Sequence, residues 1–85
     1  MKYDYAVYTS KLDRENDMPD WYDTCADAIN AARAAIADGA APEQVGIMKF
    51  ERNGGCAWDA EITFDADGAA WSDDYSAREE MGCIQ

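Results

Sequence analysis

The stretch CAWDAEITFDAD, residues 56–67, carries the alternation that decides the fold. Single polar residues separate its apolar ones, which are Trp58, Ala60, Ile62 and Phe64. A repeat of two is typical of a strand that has one buried face and one solvated face. The pattern therefore predicts a strand from Cys56 to Asp65, with its apolar face at the centre of a small core.

The clearest helix is predicted from Thr24 to Asp38. Thr24 is a favourable N-cap residue, and Gly39 follows the last periodic position, where glycine readily adopts the left-handed conformation that ends a helix. Apolar residues recur between these ends at helical spacing and form one stripe. The stripe consists of Cys25, Ala28, Ile29, Ala32, Ala35 and Ile36. We expect it to pack on the apolar face of residues 58–64.

Two further strands are predicted, one over residues 2–10 and one over residues 45–52. Aromatic and β-branched residues favour the first strand. An apolar alternation favours the second, from which Lys49 and Glu51 would point outwards. Asn53-Gly54-Gly55 tolerates positive φ and predicts the hairpin turn that leads into the alternating stretch.

The remaining segments carry weaker signals. Residues 11–20 are polar and contain Pro19, so they predict a long loop. Asp67-Gly68 predicts a turn. Residues 69–72 are compatible with a fourth short strand, and residues 76–81 with one or two helical turns.

This order of elements, β-α-β-β with a final strand or short helix, predicts a single α+β domain over residues 1–85. One helix would pack on one face of a three- to four-stranded sheet, and the charges would occupy the other face. A crossover through the helix would make the first two strands parallel if they are neighbours. Eighty-five residues leave no room for a second core.

The chain is strongly acidic, with 18 Asp and Glu against 7 Lys and Arg and a net charge of −11. Such a charge excludes direct binding to a nucleic-acid backbone or to an anionic membrane surface, and favours basic protein surfaces as partners. The sequence has no apolar run that would span a bilayer and no signal-peptide pattern at its N-terminus. We therefore expect a cytoplasmic protein.

No catalytic or metal-binding motif stands in the sequence. Histidine is absent, and Cys25, Cys56 and Cys83 are widely spaced without a CxxC pair, so a zinc site is not expected and three reduced thiols are. The Asp65–Gly68 segment fails as a calcium loop, because its glycine is fourth instead of sixth and Ser76 stands where a glutamate is needed. The sequence thus predicts a non-enzymatic protein without metal or cofactor.

The acidic residues are concentrated late in the chain. Eight of them, against Arg78 alone, form what we call the carboxylate row: Asp59, Glu61, Asp65, Asp67, Asp73, Asp74, Glu79 and Glu80. Outward side chains two residues apart on a strand are roughly 6.6 Å from one another, which is of the order of the spacing between phosphates on a nucleic-acid strand. The row therefore predicts a surface that mimics nucleic acid, with simple solubility as the alternative.

Three aromatic residues offer another kind of site. Trp21, Tyr22 and Trp71 are either anchors of a protein interface, where Trp and Tyr are enriched, or edges of the core. The alternative function is accordingly that of a protein-interaction or adaptor domain, in which exposed aromatics bind the partner and acidity serves only solubility.

A very small, acidic α+β chain without a catalytic motif resembles the inhibitors that phages and mobile elements encode, such as anti-CRISPR proteins and anti-restriction DNA mimics. The resemblance covers size, charge and the carboxylate row. It implies that the protein occupies the DNA or RNA channel, or a subunit surface, of a nucleic-acid-binding defence complex in the host cytoplasm.

Overall fold

The computed structural model describes residues 3–82, which form one five-stranded antiparallel sheet with three α-helices. The elements, in chain order, are β1 (Tyr3–Tyr8), α1 (Lys11–Glu15), β2 (Asp20–Tyr22), α2 (Cys25–Ala37), a 3-10 turn (Pro42–Gln44), β3 (Gly46–Glu51), β4 (Ile62–Phe64), β5 (Ala70–Trp71) and α3 (Tyr75–Gly82). The predicted α+β class is confirmed. The final strand and the final helix both form, and the strand order is β2-β1-β3-β4-β5.

The first two predicted strands, β1 and β3, are neighbours but run antiparallel, so the expected parallel crossover is wrong. They pair along their whole length, from Tyr3 opposite Glu51 to Tyr8 opposite Gly46. The reason is β2, which pairs antiparallel with the other edge of β1 and reverses the chain before α2 begins. The crossover through α2 therefore joins β2 to β3, with β1 between them.

The segment predicted as a long loop, residues 11–20, is largely ordered structure. Ser10 caps α1 by accepting a 3.1 Å hydrogen bond from the backbone N–H of Asp13. Asp17 turns the chain with a positive φ of 50°, and the Tyr8 hydroxyl donates to its carboxylate at 3.1 Å. Asp20 then begins β2, which is why the sheet has five strands.

The predicted limits of α2 are confirmed. The Thr24 hydroxyl accepts the N–H of Asp27 at 3.1 Å, and Gly39 follows the helix with φ of +110°. The predicted stripe faces the sheet, where Cys25, Ala28, Ile29 and Ala32 are buried. Its alanines give the helix a slim face, so that the backbone can lie close to the sheet.

The alternating stretch behaves differently from its prediction as one continuous strand. Only residues 62–64 form a strand, while Cys56 makes an isolated bridge to Phe50. Between them the chain leaves the sheet, because the N–H of Asp59 bonds at 2.7 Å to the carboxylate of Asp74 instead of to a strand. The alternation still holds in burial, since Trp58 is only 2% exposed.

The alternation of β3 predicted that Lys49 and Glu51 point outwards. This prediction is wrong, because the register places both side chains on the core side of the sheet. The register places Lys49 opposite Tyr5 and Glu51 opposite Tyr3, and Tyr5 belongs to the buried core. Apolar residues occupy both faces of β3, so the pattern alone does not identify the inner face. The opposite face carries Met48 and Phe50.

Lys49 holds α3 against the sheet through a compact arrangement that we call the Lys49 cluster: Tyr3, Tyr5, Lys49, Trp58 and Glu80. The ammonium of Lys49 pairs with the Glu80 carboxylate, which also accepts a hydrogen bond from the Tyr5 hydroxyl. The same ammonium lies 4.1 Å from the ring centroid of Tyr3, 5.4 Å from that of Tyr5 and 5.9 Å from that of Trp58. Because the Lys49 side chain is only 13% exposed, these contacts replace most of its hydration.

The Lys49 cluster predicts a loss of stability at high pH. Burial, together with the hydrogen bond to Glu80, raises the pKa of Tyr5 above its ordinary value of 10.0. A raised pKa in the folded state contributes stability that is complete below the unfolded value and falls as the pH rises past it. We expect the free energy of unfolding, measured by urea denaturation, to fall above pH 10 by at most about 1.4 kcal/mol per pH unit through this group.

Tyr5→Phe removes the titrating hydroxyl and provides the comparison. At pH 7 the variant should lose about 1–3 kcal/mol, because a hydrogen bond to a charged group is lost. Between pH 10 and 11.5 its stability should fall less steeply than that of the wild type. Equal slopes for the two proteins would show that Tyr5 does not retain its proton in the folded state.

The contact of α2 with the sheet gives a second prediction. Ile29 is 2% exposed, so Ile29→Asp places an unpaired carboxylate in the core. The cost, above about 4 kcal/mol, is comparable to the whole stability of a domain of this size. We expect no cooperative melting transition by circular dichroism. The neighbouring Asn30→Asp, exposed on the same helix, should melt within a few degrees of the wild type.

The thiols differ in accessibility. Cys56 is exposed and Cys25 is buried, and both are free cysteines, whereas Cys83 lies outside the described residues. In a Cys83→Ser variant we expect one thiol to react with Ellman's reagent within seconds and the second only after denaturation. If both thiols of the folded protein react equally fast with the reagent, the burial of Cys25 between α2 and the sheet is contradicted.

Candidate protein-binding surface

Within residues 3–82, α2 and α3 pack on the same face of the sheet, and we call the opposite face the open face. Register places two rows of side chains on it. In the first row Trp21 and Met48 flank Ala6. The second row runs across four strands and consists of Tyr8, Gly46, Thr63 and Trp71.

The three aromatic residues singled out from the sequence are separated by the sheet. Trp21 and Trp71 lie on the open face at its opposite edges and are 56% and 57% exposed. Tyr22 points to the other face and packs against the core, so it is a core edge. The ring of Trp21 meets Phe50 edge to face, with centroids 5.8 Å apart.

An ion pair divides the open face. Arg14, from α1, contacts Glu61 at 3.1 Å and donates at 3.1 Å to the carbonyl of Gln44, while its guanidinium lies 5.4 Å from the ring centroid of Tyr8. The pair rests directly on the backbone of Gly46. A Cβ atom there would collide with the guanidinium and come within 2.8 Å of the Glu61 carboxylate.

Half of the carboxylate row is engaged inside the molecule, by Glu61, Asp65, Asp74 and Glu80. Asp65 accepts the N–H groups of Asp67 and Ala69 at 2.9 Å and so closes the turn between β4 and β5. Asp74 accepts from Ala77 at the start of α3 and from Asp59, and these bonds lower its pKa. These four side chains therefore stabilise the fold, through ion pairs at Glu61 and Glu80 and through backbone hydrogen bonds at Asp65 and Asp74. The sequence analysis had assigned them to partner binding alone.

The other four members of the carboxylate row are exposed. Glu79 accepts a hydrogen bond from the Tyr75 hydroxyl, and this bond raises the pKa of Tyr75. Within residues 3–82, the carboxylates of Asp59, Asp67 and Asp73 have no ion pair. Asp59 and Asp73 lie beside Asp74 at one end of the β4–β5 hairpin, and Asp67 lies in the turn at the other end. The row therefore forms two groups instead of one line.

The six basic residues of the described range are all engaged by the protein itself. Four form ion pairs, which are Lys11–Glu15, Arg14–Glu61, Lys49–Glu80 and Arg52–Asp4. The other two donate to backbone carbonyls, Arg33 to Gly68 at 3.2 Å and Arg78 to Ser72 at 2.9 Å. The excess of carboxylates at the surface is therefore not offset by free cations in this part of the chain.

One group on the open face was missed by the sequence analysis. Arg52 binds both oxygens of Asp4, at 3.1 and 2.5 Å, and reaches Asp23 at 3.9 Å. Together with Trp21 and Phe50 these residues form what we call the Trp21 corner. Its members come from three separate segments, and the pairing of β1 with β2 and with β3 reveals that they meet.

Comparison with protein-family models, with curated proteins and with solved structures gives no match for this chain. Within residues 3–82, the helices are too short or too polar to cross a bilayer. The same residues contain no cluster of three or more Asp, Glu, Cys or His side chains arranged to hold a metal ion.

Proposed function

We propose that this protein is a non-enzymatic inhibitor that binds the basic surface of a nucleic-acid-binding protein and blocks its access to DNA or RNA. The observation that carries the proposal is the charge balance. All six described basic side chains form ion pairs or hydrogen bonds within the protein. The excess of acids that gives the net charge of −11 therefore lies at the surface as exposed carboxylates.

The positions of these carboxylates support recognition by fixed charge. Asp59 and Asp73 are attached to backbone that Asp74 holds by its hydrogen bonds, and Asp67 lies in a turn that Asp65 closes. Charges on ordered backbone lose less entropy on binding than charges on a flexible tail. The two groups, at opposite ends of the β4–β5 hairpin, would meet separate basic patches of one groove.

A complex of this kind depends on electrostatic steering. Complementary potentials accelerate encounter, and the effect decreases as salt shortens the Debye length from about 10 Å at 0.1 M to about 3 Å at 1 M. We further propose that the target is a host defence complex of the CRISPR or restriction type. The support for this narrower proposal is the small size and high acidity that the chain shares with such inhibitors.

Competition with nucleic acid tests the function directly. A host lysate is passed over DNA- and RNA-coupled resins with and without the protein, and mass spectrometry identifies the proteins that no longer bind. We expect loss of one complex in particular, with the effect reduced at least tenfold in the triple variant Asp59→Asn, Asp67→Asn, Asp73→Asn. Glu61, Asp65 and Asp74 are left intact because Glu61 pairs with Arg14, while Asp65 and Asp74 accept backbone N–H groups.

The matched control is Asp27→Asn, Asp38→Asn, Glu43→Gln, which changes the net charge equally at exposed positions outside the β4–β5 hairpin. It should displace the same complex as the wild type. If no nucleic-acid-binding protein is displaced by the wild type, the proposed inhibition is wrong. If both triple variants weaken it equally, overall charge is responsible and not these three carboxylates.

A further inference from the structure

The exposed aromatic rings of this protein are not equivalent. Within residues 3–82 the exposed aromatic residues are Trp21, Trp71 and Tyr75. The guanidinium of Arg78 lies 4.8 Å from the ring centroid of Trp71 and 5.8 Å from that of Tyr75. The ring of Trp21 has no cation beside it in the described part of the chain, although it is equally exposed.

The surroundings of Trp21 are negatively charged. Asp23, two residues after Trp21, and Asp4, which is paired with Phe50, lie on the same face as its ring, whereas Asp20 lies on the covered face. Among residues 3–82, Arg52 is the cation that contacts this group. Asp4 binds this guanidinium at two positions, whereas Asp23 is 3.9 Å away and 90% exposed. The Trp21 corner thus combines an uncovered indole with two carboxylates, Asp4 and Asp23, of which one guanidinium offsets the charge of only one.

An arginine side chain matches both features. Its planar guanidinium stacks on an indole face and can donate two parallel hydrogen bonds to a carboxylate, whereas a lysine ammonium is a compact and strongly hydrated point charge. The protein already uses this contact internally, where Arg78 covers Trp71 and Arg14 covers Tyr8. Within residues 3–82, Trp21 is the exposed aromatic residue without such a cation, which leaves its ring accessible to one from another molecule.

We propose that the Trp21 corner is the docking site for an arginine on the basic surface of the partner protein. The proposal rests on the proposed function and deepens it, because it names the side chain that the partner supplies. A second copy of this chain does not fit the site. It would bring the same net charge of −11, and each of its basic side chains in the described range is already engaged.

The three tryptophans allow a site-resolved test. Protein labelled with 5-fluorotryptophan gives one fluorine signal each for Trp21, Trp58 and Trp71, which single Trp→Phe variants assign. The probe is an unstructured hexa-arginine peptide spaced by glycine and serine, with the hexalysine peptide of equal charge as its control, at 50 mM salt. We expect the Trp21 signal to shift saturably with the arginine peptide while the buried Trp58 signal stays in place.

Substitution then measures the contribution of the ring. Trp21→Ala should weaken binding of the arginine peptide about tenfold and abolish the preference for arginine over lysine. Trp71→Ala, at the other edge of the open face, should change affinity less than twofold. Circular dichroism confirms that both variants fold, and Trp21→Phe, which keeps an aromatic ring, should recover part of the loss.

Three results would overturn the docking site. The first is binding of the arginine peptide with the Trp21 signal unmoved, and the second is no binding at all. The third is a Trp21 shift that follows protein concentration without peptide, which identifies a second copy as the occupant. The displacement of proteins from nucleic-acid resin is scored separately, so a wild-type protein that still displaces its target retains the proposed function even if the docking site fails.

Discussion

The packing of the slim face of α2 on the sheet determines how the rest of the chain is arranged. Ala28 and Ala32 have no exposed surface, and they bring the helix close enough to cover Val7 and Ile47. The thirteen-residue helix α2 covers one face of the sheet, and α3 packs in the same layer through Ala77. The opposite face is left to residues that must be compatible with water, with their own neighbours or with a partner.

The charged side chains are also held differently on the two faces of the sheet. The covered face includes Lys49, whose ion pair with Glu80 and contacts with three aromatic rings offset the cost of removing an ammonium from water. On the open face, Arg14 and Arg52 are held by carboxylates from distant segments. These three cations therefore connect separate elements of the fold, and a surplus of acids remains at the surface.

Local signals predicted the local structure and little beyond it. The limits of α2 followed from Thr24 and Gly39, because caps depend on adjacent residues. The sequence analysis missed β2 because this strand has only three residues after Pro19. A strand so short shows no periodic pattern of apolar residues. The carboxylate row was predicted to form one line because alternation shows which residues share a face of a strand. It does not show whether the strand is continuous. Asp65 three residues before Gly68, and Asp74 just before α3, are the turn and N-cap signals that could have revealed their structural roles.

The edges of the sheet restrict how another protein can attach. The edge strand β2 has three residues and β5 has two, and acidic residues lie in or within three positions of both. An added strand needs a longer row of unpaired backbone groups and is repelled by neighbouring like charges when it is acidic. Recognition by backbone pairing is therefore disfavoured, and so is the edge-to-edge stacking that begins a fibril. Specificity in any complex of this protein has to come from side chains, which makes it adjustable by single substitutions that leave the sheet unchanged.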